Sequence, residues 1–167
     1  MILKISGLSQ GSHSFDFSGN VAEIGLSDPF YGIYYLKITL EKSTNQLFLK
    51  ANLRLCGKFI CDRCGSDYNN DLITGFDMAY VFSKQAKFED DVNLKVLSVD
   101  ADKIDISQEI KDFSDLAVPM KNLCSEECKG LCVKCGQNFN TGTCNCITEE
   151  NNPVWSPLAE LKNKFKE

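Results

Sequence analysis

Histidine is nearly missing from this chain: His13 is the single one, near the N-terminus in a stretch that reads as a strand. No serine–histidine–acid set is marked around this one unplaced imidazole. A catalytic zinc centre would also have to do without its usual imidazole ligands. No Walker loop and no G-x-G-x-x-G turn is present to cradle phosphates. No stretch approaches the roughly 18 consecutive apolar residues that a membrane-spanning helix needs. The opening Met1-Ile-Leu-Lys-Ile-Ser-Gly7 lacks the charged start, apolar run and small-residue cleavage site of a secretory signal. Positive charge is short as well. Lys and Arg number 18 against 23 Asp and Glu, a net charge of −5, which argues against binding polyanions through total charge. These absences leave a cytoplasmic, non-enzymatic protein as the expectation. At 167 residues, 43% of them hydrophobic, the chain can build one real core, with room for a small appended lobe.

Cysteine, by contrast, is abundant, with nine residues. Six of them lie in Cys124-x3-Cys128-x3-Cys132-x2-Cys135-x8-Cys144-x-Cys146, and Cys61-x2-Cys64 stands about sixty residues upstream. Thiols in a reducing cytosol do not form structural disulfides, so clusters of this kind point to a soft metal, zinc before others. Cys61-Asp-Arg-Cys64-Gly65 and Cys132-Val-Lys-Cys135-Gly136 share one form. In such a turn both sulfurs face one point, and glycine supplies the left-handed conformation that closes it. Backbone N–H groups can then support the sulfurs.

Eight cysteines suit one or two Zn2+ ions. One partition puts Cys132, Cys135, Cys144 and Cys146 in a local site and Cys61, Cys64, Cys124 and Cys128 in a long-range site. Another pairs the two like turns in ribbon fashion, and a third uses a single metal. Redox catalysis by C-x-x-C expects a helix N-terminus in a βαβ setting. Here Cys61 follows an antiparallel strand and a glycine follows Cys64. The spacing is not the compact one of ferredoxin clusters. Cys56, the odd cysteine, reads as a small half-buried strand residue.

Period-two alternation dominates residues 34–56. Tyr34, Leu36, Ile38 and Leu40, then Leu47, Leu49, Ala51, Leu53 and Leu55, fall on one face, around a polar turn at 42–45. The alternation predicts an antiparallel sheet with one covered face. Leu72–Phe82 and residues 92–99 read as further strands, residues 1–18 as two short ones, 21–29 as irregular and 84–91 as a polar connection. Asp105 and Gln108 read as a capping box for a helix over 105–117, stopped by Pro119, and Ser156-Pro157 starts a second helix. The fold expected is α+β: a mostly antiparallel sheet with one or two short helices over 1–118, then a cysteine-rich zinc-binding lobe over 119–167.

Charge is uneven along the chain. Residues 34–64 carry six basic residues against two acids, and 88–115 carry nine acids against three lysines. Lys50, Arg54 and Lys58 would share one face of a strand beside Phe48. Basic and aromatic side chains on an open sheet face can hold phosphates and stack bases, which makes these three the candidate RNA-binding residues. Ordinary solvent-facing residues of an amphipathic strand would look the same.

The run from Leu116-Ala-Val-Pro-Met120 through Leu123-Cys-Ser-Glu-Glu-Cys128-Lys-Gly-Leu-Cys132-Val-Lys-Cys135-Gly to Cys144-Asn-Cys146 resembles the signature of the bacterial YceD family. These are the large ribosomal RNA subunit accumulation proteins, also found in plastids. The upstream Cys61-x2-Cys64 after a strand hairpin, Asp105-Ile106 leading to a proline, and Pro157-Leu-x-x-Leu-Lys162 match as well. The resemblance implies a non-enzymatic ribosome-biogenesis factor that supports 23S rRNA accumulation, with the eight cysteines as metal ligands. Ribosomal RNA or a pre-ribosomal particle would be the partner, together with a large-subunit ribosomal protein; neither a membrane nor a small-molecule substrate is expected. The other reading is an adaptor that binds a ribosomal protein through its acidic segment and does not touch RNA.

Overall fold

A computed structural model describes residues 1–83 and 93–146. Strand β3 (Phe30–Lys42) and strand β4 (Gln46–Ile60) form a long antiparallel hairpin. Its turn is closed by the Ser43 N–H donating to the Gln46 carbonyl at 2.9 Å. Leu40 faces Leu49, Ile38 faces Ala51 and Leu36 faces Leu53 across the pair, and all six are buried. Register is therefore fixed by burial: a one-residue slip would turn the whole apolar set to water. Strand β5 (Asp67–Phe82) pairs along the other side of β4, strand β2 (Gly11–Asn20) along β3, and β6 (Leu94–Leu97) joins β5 in parallel. The sheet order is β2-β3-β4-β5-β6, mostly antiparallel.

One face of this sheet is covered. Strands β1 (Ile2–Lys4) and β7 (Lys103–Asp105) pair as a separate ribbon, followed by helix α1 (Ser107–Leu116). A 3-10 helix at Val21–Ile24 completes the cover. Leu3, Ile24, Leu26, Ile104, Ile106 and Ile110 join the buried face of the sheet in a single hydrophobic cluster. Phe113 of α1 stacks on Phe76 of β5 with ring centroids 5.0 Å apart. Each large side chain buried here stabilises the fold by about 1.5–3 kcal/mol. One acid is buried with them. Glu109 of α1 is paired with Lys95 of β6, which keeps its charge compensated and ties the edge strand to the helix.

The α+β, mostly antiparallel architecture stands as the sequence implies, with several differences in detail. Strand β5 begins at Asp67 rather than near Leu72, because pairing with β4 continues to the strand end at Ile60. Residues 21–24 form a turn of 3-10 helix, with the Asn20 side chain accepting from the Ala22 N–H. The capping box does not form. Helix α1 starts at Ser107, Asp105 accepts from the Ser107 N–H at 3.0 Å, and Gln108 donates forward to Asp112 instead of back to the cap. Strand β6 is short and parallel, and the polar connection over 84–91 and the helix from Ser156-Pro157 lie outside the described residues.

The chain divides into two compact units, Met1–Cys61 with Ser66–Cys124, and Asp62–Gly65 with the chain from Ser125 onward. Sheet, helix and hydrophobic cluster all belong to the first. The described part of the second contains no helix or extended strand, only an isolated bridge between Leu131 and Asn138. Its buried residues are Cys64, Cys128, Gly130 and Cys132. No helix among the described residues is long and apolar enough to cross a membrane.

The two faces of the sheet differ enough to test. Leu49→Ala removes a side chain that is 0% exposed and is expected to cost about 2–5 kcal/mol. Ile73→Ala, at a position 78% exposed on the opposite face, is expected to stay within about 0.5 kcal/mol. Urea unfolding followed by circular dichroism measures both, and equal losses would mean the covered face is misassigned.

Candidate metal centre

The two C-x-x-C-G turns are built alike. In the first, the Cys61 N–H donates to the Ser66 carbonyl at 2.9 Å; in the second, the Cys132 N–H donates to the Gln137 carbonyl at 2.8 Å. Gly65 and Gly136 take φ +67° and +74°, the left-handed conformation that a side chain at either position would strain. Each turn therefore closes over six residues and presents two sulfurs from one side.

The eight sulfurs fall into two groups of four. Cys61, Cys64, Cys124 and Cys128 form one, and Cys132, Cys135, Cys144 and Cys146 the other; within each, the sulfurs lie within 4.8 Å of one another. The like turns are thus not brought together, and the ribbon-type pairing is not the one seen. Four thiolates at about 2.3 Å from a tetrahedral ion stand about 3.8 Å apart. Both groups are close to that spacing and contain only sulfur. The donor set fits a closed, soft-metal site with no position left for substrate.

Around the first group, Arg63 donates from Nη1 to the carbonyls of Glu126 at 3.1 Å and Cys128 at 3.0 Å. Gly130 is required here, because a Cβ would meet the Arg63 carbonyl oxygen at 3.2 Å and its φ is +77°. Asn140 donates from Nδ2 to the Cys128 sulfur at 3.2 Å and accepts the Lys129 N–H at 2.9 Å. Neither Arg63 nor Asn140 stands out in the sequence as a supporting residue; only their position between cysteines marks them. In the second group, backbone N–H groups of Cys135 and Lys134 hold the Cys132 thiol down to about 6. Hydrogen bonding to Cys135, together with burial, pushes Cys146 up to about 12. Without a cation the four cannot all ionise, so metal binding must release protons.

The candidate RNA-binding residues lie on the uncovered face of β4. Lys50, Arg54 and Lys58 are all exposed there, and no bulge interrupts β4 between them and β5. Acids of β5 counter them. Arg54 pairs with Asp71, Lys58 with Asp67 at 3.2 Å, and Lys50 sits opposite Asp77. Arg54 holds Asp71 below the usual carboxylate range, and Asp71 also accepts from the half-buried Cys56. Exposed pairs of this kind add little stability. Beside them an open groove of about 400 Å3 is lined by Tyr35, Lys37, Asn52, Arg54 and Ile73, with Tyr35 58% exposed.

A mostly antiparallel sheet covered on one face by the β1–β7 ribbon, the 3-10 helix and α1, with two all-cysteine groups downstream of its long hairpin that could each hold a metal ion, defines a cysteine-clustered β-rich protein. The chain belongs to the YceD family, described as large ribosomal RNA subunit accumulation protein YceD, which it matches over residues 49–162. That span contains all eight clustered cysteines. It is similar to the large ribosomal RNA subunit accumulation protein YCED homolog 1, chloroplastic, of Arabidopsis thaliana. Identity is 30% over 103 residues, covering 62% of this chain and 31% of the relative. The protein of the same name from Zea mays is 43% identical over 67 residues, covering 40% of this chain and 22% of the relative. The chain therefore spans less than a third of the length of either curated relative. No solved structure matches it.

Two outcomes are expected of the metal sites. Strong chelation should abolish amide-exchange protection over 125–146 while the sheet keeps its cooperative melting, and Cys132→Ser should remove one of two metal equivalents. Elemental analysis and hydrogen exchange read these, and unchanged metal content in Cys132→Ser would dismantle the second group. Metal uptake should also release protons and tighten as pH rises through the neutral range, because protons compete for the same sulfurs. Titration with a pH indicator tests the sign.

Proposed function

We propose that the chain is a non-enzymatic ribosome-biogenesis factor that supports accumulation of 23S ribosomal RNA, and with it the large subunit. Its structure would be stabilised by Zn2+ in the two four-cysteine groups. Family membership over a span containing all eight cysteines carries this reading. The names of the chloroplastic relatives point the same way. Zinc is the metal favoured by closed all-thiolate sites in a reducing cytoplasm, and in that role it contributes folding energy rather than chemistry.

Direct contact with rRNA would fall on the uncovered face, where Tyr35 can stack on an exposed base and Lys37, Lys50, Arg54 and Lys58 can reach phosphates. The ion pairs to Asp67 and Asp71 favour the second reading, an adaptor that holds a basic large-subunit ribosomal protein and leaves RNA alone. Depletion of the protein should lower 23S rRNA relative to the small-subunit RNA; an unchanged ratio overturns the proposal. Lys50→Glu/Arg54→Glu should weaken retention on large-subunit precursors and reduce its salt slope by about 2 if both side chains touch phosphate. Retention that is unaltered by the charge reversal and survives nuclease assigns the adaptor role.

A further inference from the structure

Asn140 stands in the loop between Cys135 and Cys144, the stretch that the second cysteine group closes. Its side chain reaches out of that group to the first. The Lys129 backbone N–H can only donate, so the oxygen of the amide must face it, at 2.9 Å. The amide nitrogen is thereby directed at the Cys128 sulfur, at 3.2 Å. The loop also runs back along the segment after Cys128. The Phe139 N–H donates to the Gly130 carbonyl at 2.9 Å, and Leu131 bridges Asn138. Asn138 in turn accepts the Asn140 N–H at 2.9 Å, which fixes the backbone from which the amide projects.

We propose that Asn140 is a positioning residue that couples the two metal sites, so that metal in the Cys132/Cys135/Cys144/Cys146 group tightens binding by the Cys61/Cys64/Cys124/Cys128 group. The inference rests on the reading that both groups bind metal. An N–H donor on a ligating sulfur fixes where that sulfur points and steadies it toward the metal. When the second group is loaded, Cys135 and Cys144 anchor both ends of the loop, and the Asn140 amide is held against Cys128. When it is empty, the loop loses that anchor and the Asn140 amide is no longer held against Cys128. By linkage the coupling is reciprocal: metal in the first group tightens the second by the same factor.

The test is a double-mutant cycle on the full chain, with Zn2+ affinity read by competition against a chromophoric chelator. The sulfur-to-cobalt charge-transfer band of the Co2+ form counts filled sites. Asn140→Asp keeps the acceptor for Lys129 and replaces the donor on Cys128 with a carboxylate. It is expected to weaken the first group about 10- to 100-fold. Cys144→Ser/Cys146→Ser, which empties the second group, should weaken the first group by a comparable factor. Combining the two changes should add little beyond either alone. In a Cys64→Ser chain, where the first group is disabled, Asn140→Asp should leave the second unaltered; this separates loss of coupling from general damage to the loop. First-group affinity within twofold of wild type in Asn140→Asp, or full additivity in the cycle, overturns the coupling while the metal reading stands. A wild-type chain that takes up no metal overturns both. Should Asn140→Asp fail to fold, the cysteine double variant decides alone: a first group unaffected by emptying the second refutes the proposal.

Discussion

Four sulfurs held within 4.8 Å of each other do not make a stable arrangement by themselves. As thiols they offer weak hydrogen bonds, and as thiolates they repel. A cation among them would reverse the balance. Among the described residues the hydrophobic cluster belongs to the first unit, while the second buries cysteines and a glycine. The described residues 125–146 contain no apolar cluster of their own, so burial within that stretch offsets little of its conformational entropy. Metal–thiolate bonds in the two groups would supply a replacement, on the order of 10 kcal/mol per structural zinc. The glycines at 65, 130 and 136, the Arg63 bonds to two carbonyls and the Asn140 amide then follow as devices that keep sulfurs converged.

The first unit is held by the opposite physics. Leucine, isoleucine and phenylalanine alternate with polar residues over β3, β4 and β5, and one face is dry. The other face carries Tyr35, Phe48 and Ile73 exposed among charges of both signs. A solvated face needs no aromatic residue, so Tyr35 beside a groove is more informative than the lysines. The lysines and Arg54 stand against acids that reduce their field, and at a net charge of −5 a polyanion is not drawn to the surface at long range. Contact with RNA on this face would rest on stacking and a few short-range bonds.

Much of this was legible in the sequence, and the reasons are specific. The hairpin could be read because period two persists from Tyr34 to Cys56 with a polar turn between, and burial follows that period without a break along β4. The cysteine turns could be read because Gly65 and Gly136 mark the left-handed residue. Helix α1 was visible from Ile106, Ile110 and Phe113, but its cap was not: Asp105 could as well bond the N–H two residues on, and it does. Strands β1 and β7 could not be paired from sequence, since each is three residues long and they lie about a hundred residues apart. The pairing of Lys58 and Arg54 with Asp67 and Asp71 depends on the β4–β5 register, which local pattern does not contain.

Why the like turns stay apart follows from loop closure. Cys132 to Cys146 spans 15 residues of local chain, so its four sulfurs can meet whatever the rest of the molecule does. Cys61 and Cys124 are separated by the whole of β5, β6, β7 and α1. In an unfolded chain the entropic cost of closing that span would exceed the local one by only about 1.3 kcal/mol, since the cost grows with the logarithm of length. The larger obstacle is that a random loop does not aim two sulfurs at one point. Folding of the strand pairs fixes where Cys61 emerges, and α1, ending shortly before Cys124, fixes the other end. Had the two turns shared a metal instead, Cys144 and Cys146 would have been left to Cys124 and Cys128, and a 23-residue closure around the second turn would have replaced the 15-residue one. The observed grouping lets one site form from local sequence and requires the sheet only for the other.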